Sequence, residues 1–63
     1  MIIMQAKVGA RAYFYCGSAV EPMWSMSRDR ALPFNDEAAA RADMSGMTMA
    51  YAHYQSRAQP VIA

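Results

Sequence analysis

Apolar residues cluster in two early runs, residues 2 to 8 and 11 to 16, separated by Gly9-Ala10. Two runs of this kind joined by a Gly-X pair predict a β-hairpin, because glycine supplies the positive φ that a type II′ turn needs at its first central position. Alternation along a strand places Ile2, Met4, Ala6 and Val8 on one side and Ile3, Gln5 and Lys7 on the other. In the second run Ala12, Phe14 and Cys16 alternate with Arg11, Tyr13 and Tyr15. The second set carries a charge and two hydroxyls. It is therefore expected to face solvent, with Ala12, Phe14 and Cys16 on the core side.

The Gly17-Ser18-Ala19-Val20-Glu21-Pro22 segment has loop composition, and Met23-Trp24-Ser25-Met26 predicts a short third strand with Trp24 inward. Ser27-Arg28-Asp29-Arg30 reads as a turn, and Pro33 keeps Leu32 out of the helical region. A helix is predicted from about residue 36 to 44. Asn35 is its expected N-cap, Asp36 and Glu37 favour the positive end of its dipole, and Gly46 is its expected left-handed C′ residue. Phe34 is placed to fold back onto Ala39 as half of a hydrophobic staple, and Glu37 and Arg41 are spaced to pair on the solvent side. Ala38, Ala39 and Ala42 would let the helix approach a sheet closely, so the core volume is expected from Trp24, Phe34, Met44 and the strands.

In the segment 47 to 54, Met47, Met49, Tyr51 and His53 alternate with Thr48, Ala50, Ala52 and Tyr54, which predicts a last strand, with helix continuation as the rival. Residues 55 to 63, with Pro60, are expected as a tail or a brief edge strand at Val61-Ile62. The predicted fold class is α+β: a small, mostly antiparallel sheet made of a hairpin, a short third strand and a C-terminal strand, with one α-helix packed on one face. One domain is expected over residues 1 to 63, its ordered core spanning about 2 to 54.

At 63 residues such a domain buries only about 60% of its unfolded surface, which predicts a homodimer or a tight partner. A single Cys and a single His exclude an internal disulfide and a four-ligand zinc site. A formal charge of +1 is too small to drive nucleic-acid binding by bulk electrostatics. The first residues do not read as a secretory signal and no window matches a membrane span. A lone thiol fits a reducing compartment, so a soluble cytoplasmic location is expected.

No catalytic, cofactor or metal constellation emerges from the spacing. Cys16 is expected to be a buried structural thiol and His53 a half-exposed strand residue. Asp29 reads as a solvated turn carboxylate between two arginines. The seven methionines read as plastic core filling rather than a Cu(I) site. The expected interaction surface is the sheet face away from the helix, bearing Lys7, Arg11, Tyr13 and Tyr15 with Tyr51 and His53 or with Tyr54. Arg28 and Arg30 on the turn join it as candidate partner contacts.

The hairpin with Tyr13 and Tyr15, Trp24 before a polar turn, the Ala31-x-x-Phe34 spacing and a capped helix carrying Ala38 together resemble short accessory proteins of phages and mobile elements, including anti-CRISPR proteins. The likeness spans roughly residues 2 to 54. It implies a protein-binding inhibitor of a host protein or protein–nucleic-acid complex, acting in the host cytoplasm. The alternative from the residues is a single-stranded nucleic-acid binder, with Tyr13 and Tyr15 stacking on bases and Lys7, Arg11 and Arg57 contacting phosphates.

Overall fold

The computed structural model describes residues 1 to 46 and 51 to 63. Four antiparallel strands form one sheet: β1 (Ile2–Val8), β2 (Arg11–Tyr15), β3 (Trp24–Ser25) and β4 (Ala58–Ile62), in the order β3-β2-β1-β4. A 3-10 turn covers Arg28–Arg30, and the helices α1 (Glu37–Met44) and α2 (Ala52–Arg57) lie on one face. The fold is a small α+β sandwich of helices on a sheet, the class expected from the pattern. No helix among the described residues is long and apolar enough to cross a membrane.

The hairpin forms as the glycine dictates. Val8 pairs with Arg11, leaving Gly9 and Ala10 as a two-residue loop, and Gly9 has a φ of +64° while no non-glycine residue among the described ones has a positive φ. That combination is the II′ pattern. Gly17 is the second position that needs glycine: its φ is +116°, and an added Cβ would stand 3.2 Å from Leu32 Cδ2. There the chain leaves β2 and lets Leu32 donate its N–H to the Tyr15 carbonyl.

The register settles which side of β2 is buried, and it reverses the expectation. Ala6 lies opposite Tyr13 and Gln5 opposite Phe14, so Tyr13 and Tyr15 share the face of Met4 and Ala6, while Ala12 and Phe14 share that of Gln5 and Lys7. The core under the helices is Met4, Ala6, Tyr15, Trp24, Ala40, Met44 and Ala58, with Ile2, Tyr13, Phe34, Tyr51 and Tyr54 packed around it. Tyr15 is fully buried. Its hydroxyl is satisfied there, donating to Asp43 Oδ2 at 2.6 Å, and Asp43 also accepts from the Ser18 N–H. A hydroxyl with a carboxylate partner costs little to bury, whereas the ring volume is what an alanine-rich core lacks. Phe14 and Cys16 are buried too, but Phe14 faces away from the helices, beneath the Arg28 guanidinium.

The first helix starts one residue later than expected. Asp36, not Asn35, is the N-cap, its side chain accepting from the Ala39 N–H at 2.8 Å. The chain bridges Phe34 to Ile2 through reciprocal backbone bonds, which holds Phe34 in the sheet layer, where its ring stacks on Tyr15, rather than on Ala39 as a staple. Glu37 and Arg41 pair at 3.0 Å as predicted. The buried helix positions are Ala40 and Met44, four apart, while Ala38, Ala39 and Ala42 are exposed. Gly46 is not left-handed; Ser45 is the C-cap in the right-handed region.

The C-terminal part departs most. The strand expected over 47 to 54 is overturned at its described end, where Ala52–Arg57 is helical; residues 47 to 50 lie outside the described residues. Tyr51, Tyr54 and Ala58 fall on one side at helical spacing and close on the core. The small side chains of Ala6 and Ala58, both buried, let α2 lie over β1. The closing strand is β4, which pairs along β1 from Ile2↔Ile62 to Ala6↔Ala58, so the expected tail is an integral edge strand.

Candidate functional site

The structure does not assemble the expected Tyr-bearing surface. Tyr15 belongs to the core, and Tyr13 is half-buried, meeting Tyr54 edge-on at 5.0 Å between ring centroids. Arg11 is exposed on their side of the sheet at the hairpin end, and Lys7 is exposed on the opposite side. Arg28 and Arg30 stand on the 3-10 turn. Arg28 is held across the open face, its guanidinium 5.8 Å from the Phe14 ring centroid and donating to the Ile62 carbonyl at 2.6 Å. The six residues therefore divide among three places, because the register sets Lys7 opposite Ala12, on the other face from Tyr13 and Tyr15. His53, expected on a strand, is exposed on α2 and sits 4.4 Å from the Tyr54 ring.

What remains open is part of the sheet face opposite the helices, bordered by the end of α2. Here Gln5, Lys7, Ser56, Arg57, Gln59, Pro60 and Val61 line an open groove of about 660 Å³. Gln5 and Gln59 are directly opposed on β1 and β4, so their amides floor the groove side by side. Lys7 and Arg57 stand at the hairpin end, and Val61 gives the other end an apolar wall, with Pro60 at its β4 border. Ser56 is committed to its own helix, donating to the His53 carbonyl. Of these seven residues, the sequence pattern marks as candidate contacts only Lys7 and, for a nucleic acid, Arg57. The signal for the rest was the strand pattern of residues 58 to 62, which Pro60 masks.

The charge layout gives the groove its sign. All five side-chain carboxylates lie between Glu21 and Asp43, and four of them are engaged. Asp36 caps α1, Glu37 meets Arg41, Asp43 takes Tyr15 and Ser18, and Glu21 accepts from the Tyr51 hydroxyl. Among the described residues, Lys7, Arg11 and Arg57 meet no carboxylate, and all three lie at the hairpin end of the sheet. The end of the molecule that carries the groove is thus cationic in a chain of nearly balanced charge.

The outer edge of β4, which borders the groove, is closed to another strand. Ala63 donates to the Met1 carbonyl, so by ladder alternation Gln59 and Val61 turn their backbone groups to β1 while Ala58, Pro60 and Ile62 turn theirs outward. Pro60 has no N–H to offer. The carbonyls of Ala58 and Ile62 accept from Arg41 and Arg28, respectively. A proline and satisfied carbonyls are how natural sheets blunt an edge.

Reactive chemistry is sparse around these surfaces. Burial pushes the Cys16 thiol up, with the Arg30 charge opposing it, and the sulfur lies 3.4 Å from the Phe14 carbonyl. Among the described residues, no three His, Cys, Asp or Glu side chains gather as metal ligands would. The groove offers hydrogen-bond donors, acceptors and positive charge, which suit recognition. Comparison with known protein families, curated proteins and solved structures finds no match to this chain.

Proposed function

We propose that this protein is a small non-enzymatic binding domain that occupies the surface of a larger protein and thereby inhibits the complex to which that protein belongs. One observation carries the reading: the uncovered face of the sheet holds a groove that combines amides, cations and apolar walls without a carboxylate. Mixed polar and apolar lining of this kind is what a recognition surface needs to fix an orientation while burying area. An anti-defence inhibitor of the anti-CRISPR kind is the sharpest form of the proposal, and it rests on the sequence resemblance alone. The single-stranded nucleic-acid alternative loses its main support, because Tyr15 is buried and Tyr13 lies edge-on to Tyr54, so neither ring is free to stack on a base.

Site-specific photocrosslinking tests the proposal. A benzophenone side chain replacing exposed Gln59 should give covalent protein adducts in a host lysate, whereas the same group replacing exposed Ala38 on α1 should not. Equal adducts from both positions, or none from Gln59, would overturn the reading.

A further inference from the structure

We infer that the groove takes a short acidic peptide segment of the partner, its carboxylates set against Lys7 and Arg57 and an apolar side chain laid on Pro60 and Val61. The inference rests on the binding role proposed above and specifies the chemistry of what is bound.

Charge complementarity supplies the first argument. Lys7 and Arg57 line the groove and meet no carboxylate among the described residues. The chain's own acids are gathered in residues 21 to 43, and four of the five are engaged by other groups. A cationic rim left without internal neutralisation steers and selects a partner of opposite sign. Gln5 and Gln59, opposed across two strands, each offer an acceptor and two donors, which match the carbonyls and N–H groups of an extended peptide backbone. Val61 and Pro60 then set a place for one apolar residue beside the acidic ones.

The mode of attachment follows from the closed β4 edge. With Pro60 lacking an N–H and the outward carbonyls of Ala58 and Ile62 taken by Arg41 and Arg28, little of the backbone pairing that strand addition needs remains there. The segment must be held across the face by side chains. A nucleic-acid strand fits less well. Two groove cations can neutralise only about two phosphates, and Phe14, the aromatic ring that the described residues place on this face, is 7% exposed beneath Arg28.

The test uses the full chain and a fluorescein-labelled peptide of sequence Glu-Ser-Glu-Leu-Ser-Glu, read by anisotropy at about 50 and about 200 mM salt. Binding should weaken with salt and disappear when the peptide's Glu residues are replaced by Gln. Lys7→Gln and Arg57→Gln should each weaken it about two- to fivefold, the range for exposed ion pairs, with melts like wild type. Gln59→Glu should weaken it at least as much, and Arg30→Gln on the distant turn should leave it unchanged. The inference is overturned if the Gln-substituted peptide binds equally, if the Lys7 and Gln59 variants bind as wild type, or if an oligothymidine of similar length binds more tightly. The two proposals fail separately: adducts from the Gln59 photocrosslinker that excess acidic peptide does not suppress leave the binding role standing and remove the acidic-peptide chemistry.

Discussion

Replacing Tyr15 tests the assignment on which the two faces of the sheet depend. The side chain is fully buried, its ring meets Trp24 and Phe34, and its hydroxyl donates to the Asp43 carboxylate at 2.6 Å. Tyr15→Phe keeps the ring and removes that bond. Hydrogen bonds to charged groups contribute about 1.5–3 kcal/mol. The half-exposed Asp43 keeps water and the Ser18 N–H, so the low end applies, about 1.5 kcal/mol. At about 4–8 °C per kcal/mol for a domain this small, Tm should fall by about 6–12 °C. Tyr15→Ser also removes the buried ring, at a cost of about 3–5 kcal/mol. The whole stability of a 63-residue chain is about 3–9 kcal/mol, so this variant should be largely unfolded at physiological temperature by circular dichroism. A Tyr15→Ser melt within about 2 °C of wild type, less than the shift for 1 kcal/mol, would refute the register and return Tyr15 to the surface.

The same residue predicts a response to alkali. Burial first, and then the Asp43 carboxylate, push the Tyr15 phenol well above its ordinary range. An unfolded chain gives up that proton from about pH 10 while the folded chain retains it. The stability contributed by neutral Tyr15 is therefore complete below about pH 10 and lost as pH rises towards the folded value. Tyr51 is also raised, chiefly by its bond to Glu21, so Tyr51→Phe is the control. Melts from pH 8 upward, within the tyrosine reference range, should show a flatter alkaline decline in Tyr15→Phe than in wild type; an unchanged slope would refute the linkage.

Three further outcomes are expected. Asp36→Ala should lower stability by about 1 kcal/mol through loss of the cap, while Asn35→Ala should change it by no more than about 0.5 kcal/mol; reversed thermal melts would move the helix start. Pro60→Val should restore an outward N–H to the β4 edge and give a larger sedimenting species than wild type at equal concentration, an unchanged sedimentation coefficient showing that the proline does not guard the edge. Cys16 should react with a disulfide reagent far more slowly in the folded protein than in denaturant, since burial holds the thiol neutral; equal rates would place it at the surface.

Local chemistry alone determined the elements whose signals are local. Gly9 between two apolar runs required the hairpin, a carboxylate or amide ahead of Glu37 and an alanine run required a helix near 36 to 44, and the glycine, proline and serine content of residues 17 to 22 required a loop. The face of β2 was different. Both of its alternating sets can be buried, and the choice fell to Tyr13 and Tyr15 because Asp43, 28 residues away, accepts the Tyr15 hydroxyl; no window along the chain contains that partner. The helix at Ala52–Arg57 likewise depends on tertiary packing, since six residues are too few to hold helical structure in isolation. It forms where Ala6 and Ala58 leave room for Tyr54 against Trp24, with Tyr51 beside Tyr54. The groove was the least legible feature: Gln5, Lys7, Arg57 and Gln59 are unremarkable polar residues in sequence, and only the pairing of β4 with β1 brings them together on one uncovered face.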